Sequence, residues 1–128
     1  GSGLLGLRGD YTSASRFVRA ALFSQWATSQ KTALDAVRMG FHILNTFDIF
    51  DGIVQDRSKK EPIHEITEWV IVHDRTNLKT YFRGYESLQA QMVDLQKIDF
   101  SRPDIRQVEI RKQFTVEDAT SEMKPFSG

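Results

Sequence analysis

The spacing of apolar residues changes about halfway along the chain, and this change limits the possible folds more than any other feature. In the first half, apolar side chains recur every third or fourth residue, the period of one helix face: Leu34, Val37, Phe41 and Leu44. An earlier helix is predicted from the N-cap candidates Thr12, Ser13 and Ser15 to about Ala27. Its apolar face would carry Phe17, Ala20, Ala21 and Leu22. We therefore expect a helical pair over residues 12–48, after a glycine-rich loop over residues 1–11.

The second half has the spacing of β-strands, after a stretch of loop composition from Asp48 to Pro62. Residues 69–72 form an apolar run, as in a strand covered on both faces, and residues 78–85 supply a second strand. Residues 90–95 are a third candidate. A fourth strand is predicted where apolar and polar residues alternate around Val108, Ile110 and Phe114. Antiparallel strands over residues 64–114 and a tail over 115–128 complete the chain, which indicates an α+β fold with helices on a sheet.

Composition excludes several classes of protein. The chain has 128 residues, enough for one domain, and no apolar run approaches the roughly 18–20 residues that cross a bilayer. It has 17 basic and 17 acidic residues, so the basic excess that general nucleic-acid binding needs is missing. With 0 cysteines it forms no disulfide and no zinc–thiolate site. We expect neither a nucleic acid nor a membrane as partner.

Short motifs in the chain carry little weight by themselves. Residues 1–6 spell G-x-G-x-x-G, but no strand precedes them, so a dinucleotide site is not supported. Residues 8–10 spell the adhesion tripeptide Arg-Gly-Asp, which any chain of this size can contain by accident. The histidines His42, His64 and His73 lack metal-ligand spacing, and no Gly-x-Ser-x-Gly elbow is present. We therefore expect no metal and no other cofactor.

The opening of the chain resembles a known family of enzymes. Gly9 to Ser13, followed by Ser15 to Ala20, closely resembles a block of the choloylglycine hydrolase family, which comprises bile salt hydrolases and penicillin V acylases. Looser matches follow in the same order, at the end of the second helix (residues 41–45), in the strand pair (67–85) and in the segment after it (93–101). The resemblance runs from Gly1 to about Phe114.

This resemblance implies a fold and a reaction. The family has the N-terminal nucleophile fold, a four-layer αββα sandwich, of which this chain would supply one helical pair and much of one sheet. Its enzymes cleave linear amide bonds with an N-terminal cysteine, which would lie upstream of Gly1. Conjugated bile salts, penicillin V or related N-acyl compounds are the implied small-molecule substrates, the implied source is bacterial, and the compartment stays open between periplasm and cytoplasm.

Arg16 is the one catalytic residue that the resemblance assigns to this chain. Most arginines near a helix start are solvated surface charges, and composition alone favours that interpretation here. In the family, however, an arginine in a Ser-Arg-Phe motif lies near the nucleophile, and this motif matches Ser15-Arg16-Phe17. A cation beside a thiol favours the thiolate and lowers its pKa. The family usually has proline where this chain has Arg8, so substrate preference or activity could differ.

The absence of the nucleophile from this chain affects both the partners that we expect and the alternative functions that stay open. A sandwich divided at Gly1 would expose an apolar sheet face, so we expect this piece to pair with the missing N-terminal portion or with itself, as a homo-oligomer. The main alternative is a non-catalytic α+β interaction or ligand-binding module, which the missing nucleophile favours if these 128 residues are the entire gene product. A third possibility is a family member that has lost its function, but the retained Arg16 argues against it.

Overall fold

Two helices form the first half of the chain, and threonine caps both. The computed structural model describes residues 4–56, 58 and 60–125. Helix α1 spans Ser13–Trp26 and α2 spans Ala33–Asn45. The side chain of Thr12 accepts a hydrogen bond from the backbone N–H of Ser15, and Thr32 does the same for Asp35. Each cap satisfies a backbone donor that the first helical turn leaves unpaired, which fixes where each helix begins.

In the described part of the chain, five strands form two separate antiparallel sheets. Strands β1 (Val54–Asp56) and β2 (Ile63–Glu65) make a small hairpin. Strands β3 (Trp69–Asp74), β4 (Lys79–Gly84) and β5 (Gln91–Asp94) form a sheet in the order β3-β4-β5. Single 3₁₀ turns follow at Leu95–Lys97 and Thr120–Glu122. The expected α+β fold, two helices followed by an antiparallel sheet, is confirmed.

The core lies between α2 and one face of the larger sheet. Val37 of α2 and Val70 of β3 are buried. Gly40 lets the helix approach closely, since a Cβ at this position would lie 3.2 Å from Cγ1 of Val72. The other face of β3 is open, with Trp69 54% and Ile71 41% exposed. The apolar run at residues 69–72 predicted that both faces of β3 would be covered. Among the described residues, helices cover only one of these faces.

Three expectations need correction. The stretch from Asp48 to Pro62 contains β1, so it is not loop throughout; strands of three residues are too short to show a period. Residues 108–114 form no strand in the described part of the chain, because no neighbouring backbone lies opposite them. Phe17 was assigned to an apolar face of α1 but is 73% exposed. In α1 the buried residues are Ser15 and Arg19 instead.

No helix in the described part of the chain has the length and apolar character needed to cross a membrane.

Candidate active site

Asp10 organises the entry into α1. One carboxylate oxygen accepts hydrogen bonds from the backbone N–H (2.9 Å) and hydroxyl (2.5 Å) of Thr12, and the other accepts from the hydroxyl of Ser15 at 2.7 Å. These donors stabilise the charged form, so the pKa of Asp10 falls to about 2, with the side chain of Thr12 as the largest cause and Ser15 next. The first turn of the helix is thereby tied to the loop that precedes it.

Arg19 holds the same loop from the other side. Its side chain is buried, and Nη1 donates to the backbone carbonyls of Arg8 (3.0 Å) and Asp10 (2.8 Å). The guanidinium carbon lies 5.2 Å from the ring centroid of Phe47, a cation–π distance, and Phe47 also contacts Phe23 of α1. Arg19 therefore joins the opening loop, α1 and the segment after α2. Nothing in the spacing of the sequence indicated this, because burial of one arginine depends on the tertiary fold.

Arg16 lies one turn before Arg19 and has a different environment. Its backbone N–H bonds to the carbonyl of Thr12 at 3.0 Å, and its side chain is half-buried. Among the described residues, its guanidinium makes no hydrogen bond and no ion pair. Helix α1 thus carries a cation, Arg16, whose N–H donors have no partner among the described residues. A catalytic role for Arg16 stays a prediction.

Arg8, the residue at the family's usual proline position, borders a shallow depression. This depression has a volume of about 320 Å³ and is bounded by Gly6, Leu7, Arg8, Ala14, Ser15 and Val18. The side chain of Arg8 is exposed, while its carbonyl is held by Arg19. This hydrogen bond from Arg19 restrains the loop at Arg8, where a proline would restrain the loop by fixing its own φ.

The other opening motifs find no support. The first three residues of the G-x-G-x-x-G string lie outside the described residues. Gly6 has a φ of +86°, and six residues, Leu7 to Thr12, separate it from the start of α1 at Ser13. A pyrophosphate site requires the glycine string to lead directly into a helix, and this string does not. In the adhesion tripeptide, the carboxylate of Asp10 is engaged with Thr12 and Ser15.

The histidines lie apart. His42 is exposed on α2, His64 Nδ1 contacts Asp51 Oδ1 at 2.5 Å, and His73 Nδ1 lies 3.1 Å from Thr80 Oγ1. In the part of the chain that the structure describes, no three histidine or carboxylate side chains come together as metal ligands.

A buried arginine that sequence reasoning missed lies on the helix side of the sheet. Arg83 of β4 is 5% exposed, and its Nη2 donates to Asn45 (2.6 Å) and to Asp48 (2.5 Å). The three residues connect the end of α2 to the sheet, and Asn45 and Arg83 border a largely apolar groove of about 380 Å³. The second oxygen of Asp48 is buried without a hydrogen-bond partner among the described residues. Asp48 neutralises Arg83, so this cluster has the features of a structural tie.

Comparison with known proteins places the chain in a family. The model described as "Linear amide C-N hydrolases, choloylglycine hydrolase family" matches residues 1–110. An uncharacterized protein of Paramecium bursaria Chlorella virus 1 is 37% identical over 93 residues, which is 71% of this chain and 33% of that protein. A bile salt hydrolase/transferase of Clostridium perfringens is 28% identical over 117 residues, or 91% of this chain and 34% of that enzyme.

Solved structures share the fold of this chain. A conjugated bile acid hydrolase from Clostridium perfringens, in a variant with its second residue changed from cysteine to alanine, superposes with a TM-score of 0.73 at 24% identity. The match covers 94% of this chain and 36% of that one. A penicillin V acylase from Agrobacterium tumefaciens gives 0.63 at 20% identity, over 77% and 30%. The chain thus spans about a third of the length of the proteins it matches.

Proposed function

Because the chain belongs to the choloylglycine hydrolase family of linear amide C–N hydrolases, we propose that it is the C-terminal portion of a single-domain enzyme that hydrolyses such bonds with a cysteine nucleophile. The match of the family model over residues 1–110 carries this proposal. The cysteine would be supplied by upstream sequence, since these 128 residues contain none. The substrate class follows the named relatives: conjugated bile salts, penicillin V or a related N-acyl compound.

The proposed reaction has two steps. The cysteine thiolate attacks the amide carbonyl carbon, and the proton from the thiol passes through the α-amino group to the leaving nitrogen as the C–N bond breaks. Water then attacks the resulting thioester, which releases the carboxylic acid and restores the thiol. Arg16 is proposed to act in the first step by stabilising the thiolate electrostatically. Arg16 is half-buried, and its guanidinium is uncommitted among the described residues, which suits it to this role.

The remaining partners are part of the same proposal. The upstream portion would supply the second sheet of the sandwich and cover the open face around Trp69 and Ile71. A homo-oligomer of the complete enzyme is also proposed.

The test is amide hydrolysis by the full-length protein. Release of glycine or taurine from conjugated bile salts, and of phenoxyacetate from penicillin V, would be measured for the wild type, Arg16→Ala and Arg16→Lys. We expect Arg16→Ala to lower kcat/KM by about 10²-fold, the scale of losing one electrostatic stabiliser, and Arg16→Lys to restore part of it. Arg75→Ala, which removes an exposed charge from the β3–β4 turn, is the matched control.

The pH dependence separates a catalytic role from a structural one. Loss of the neighbouring cation should raise the pKa of the thiol, so the acid limb of the kcat/KM profile should move to higher pH in Arg16→Ala. Alkylation of the cysteine by iodoacetamide should show the same displacement. An Arg16→Ala enzyme with unchanged rate and pH profile would contradict the assigned role. Failure of the wild type to hydrolyse any amide would favour the alternative of a non-catalytic module.

A further inference from the structure

One whole face of α2 borders the groove of about 380 Å³ that lies beside the Arg83 cluster. The opposite wall includes Tyr81 and Arg83 of β4. The bordering positions on the helix are spaced alternately by three residues and by one, as on a single helix face: Leu34, Val37, Arg38, Phe41, His42 and Asn45. At 1.5 Å per residue, this face extends over roughly 16 Å.

The two ends of this helix face differ in chemistry. Leu34, near the start of α2, is apolar and 66% exposed. His42 lies in the last turn and Asn45 ends the helix, where it accepts the hydrogen bond from Arg83. The groove therefore combines a long apolar wall with one cluster of polar groups, which is the composition of pockets that bind small molecules.

Arg83 has more hydrogen-bond donors than its partners use. A guanidinium carries five N–H groups on three nitrogens. Among the described residues, only Nη2 is engaged, by Asn45 and Asp48. The remaining nitrogens, Nε and Nη1, are not enclosed, since Asp48 Oδ1 is the one buried side-chain polar atom without a partner in the described part of the chain. A side chain that is only 5% exposed thus keeps donors open to a molecule in the groove that it borders.

The charges around these donors disfavour an anion. Asp48 neutralises Arg83, so a second carboxylate at Arg83 would face a like charge. Arg83 also meets the C-terminal end of α2, where the partial charge of the helix is negative. Arg38, on the border of the groove, is paired with Asp35 at 2.7 Å. A neutral acceptor such as a carbonyl oxygen can take the free N–H groups without meeting this repulsion.

We propose that the groove binds an uncharged small molecule with an apolar body and one carbonyl oxygen, such as a medium-chain amide or ester. The carbonyl oxygen accepts a hydrogen bond from Nε or Nη1 of Arg83. The apolar body lies along α2, against side chains that include Leu34 and Phe41. Binding at this groove breaks no bond of the ligand and goes beyond the proposed function.

Octanamide and octanoate test this assignment, because they share one hydrocarbon chain and differ mainly in charge. Their binding would be measured by isothermal titration calorimetry on the full-length protein carrying Arg16→Ala, which limits turnover of the amide. We expect octanamide to bind at least about tenfold more tightly than octanoate, the scale of one unfavourable charge contact. Equal affinities, or tighter binding of octanoate, would overturn the neutral ligand class. No binding of octanamide would overturn the site.

A matched pair of variants on α2 locates the bound probe. Leu34→Glu places a charge on the apolar wall, whereas Ala36→Glu places the same charge at an exposed position that does not border the groove. We expect Leu34→Glu to weaken octanamide binding by about five- to tenfold, since part of a leucine side chain loses its burial against the ligand. Ala36→Glu should weaken binding by less than about twofold. Equal effects would place octanamide elsewhere and overturn the inference.

Arg83→Lys tests the polar end of the groove. Lysine keeps a positive charge beside Asp48 but lacks the planar fork that supplies the additional donors. We expect octanamide to bind at least about fivefold more weakly, and unchanged binding would contradict the role of Arg83. If Arg83→Lys does not fold, the two probes and the pair of variants on α2 still decide.

Other occupants of the groove give different results. If an upstream segment covers it, octanamide does not bind, and Leu34→Glu lowers Tm more than Ala36→Glu does. If a second copy covers it, octanamide does not bind, and Leu34→Glu lowers the sedimentation coefficient. Either result would overturn the inference. Amide hydrolysis by the wild type is scored separately: binding without hydrolysis refutes only the proposed function, and hydrolysis without binding at the groove refutes only this inference.

Discussion

Arg16 and Arg19 lie one turn apart on α1 and illustrate two uses of the same side chain. Arg19 has its guanidinium buried against Phe47 and donates to two backbone carbonyls. Arg16 is half-buried, and its donors are uncommitted among the described residues. The two arginines therefore differ in their contacts: Arg19 holds the loop, whereas Arg16 keeps its donors free, as its proposed catalytic role requires.

Arg19→Leu should destabilise the protein without a specific effect on chemistry. It leaves the carbonyls of Arg8 and Asp10 without their donor and removes the cation–π contact, which together should cost about 2–3 kcal/mol. Urea unfolding of the full-length protein measures this, with Arg16→Ala as the comparison, since it should lower the free energy of unfolding by less than about 0.5 kcal/mol. Equal losses in the two variants would contradict the division of roles.

Asp10 should make stability depend on pH in the acid range. Its pKa is lowered to about 2 in the folded protein by the Thr12 and Ser15 donors, below the usual value of 3.8. The unfolded state therefore binds protons first, so the stabilisation is complete above about pH 4 and is lost as pH falls towards 2. Asp10→Asn should flatten this part of the stability curve, and Glu61→Gln, which removes a charge from an exposed loop, should not. Urea midpoints between pH 2 and 5 measure the difference.

At the scale of the helices and strands, the sequence predicted those elements that depend on local side-chain patterns. Helix α1 follows from the N-cap candidate Thr12, α2 follows from the stripe containing Val37, and β3 and β4 follow from their apolar runs. The cap of α2 at Thr32 was not predicted. The small hairpin escaped prediction because its three-residue strands are mostly polar. Burial of Arg19 and Arg83 could not be predicted, since their partners come from distant parts of the chain. The fourth strand was predicted from alternation, but among the described residues no backbone is hydrogen-bonded beside it to form a ladder.

The contact between Gly84 and Ile110 gives a prediction for this segment. Gly84→Ala would place a methyl group 2.6 Å from Cγ2 of Ile110, a β-branched side chain that cannot move aside cheaply. We expect a loss of about 1–3 kcal/mol in the free energy of unfolding, as for other overpacked sites. Gly9→Ala is the control, because a Cβ there meets nothing within 4 Å. The double variant Gly84→Ala/Ile110→Ala should recover part of the loss; no recovery would place the strain elsewhere.

At the scale of the whole molecule, the chain has one covered sheet face and one largely open face. Val70 on the helix side is buried, whereas Trp69 and Ile71 on the other face of β3 remain about half exposed. Exposed apolar surface of this kind is typical of a surface that another chain or segment covers. An open apolar face fits the proposal that the chain is one portion of a longer enzyme, and the chain spans about a third of the length of the relatives it matches.

The isolated chain should consequently associate with itself through this face. Burying one large apolar side chain contributes about 1.5–3 kcal/mol. The double variant Trp69→Thr/Ile71→Thr should therefore raise the dissociation constant by roughly two orders of magnitude or more. Sedimentation velocity over a concentration series measures this, and Ile105→Thr is the control, because Ile105 is 99% exposed and lies outside the sheet. A wild-type chain that stays monomeric and unfolds cooperatively at every concentration would show that the open face needs no cover, which would remove the physical argument for a missing second layer.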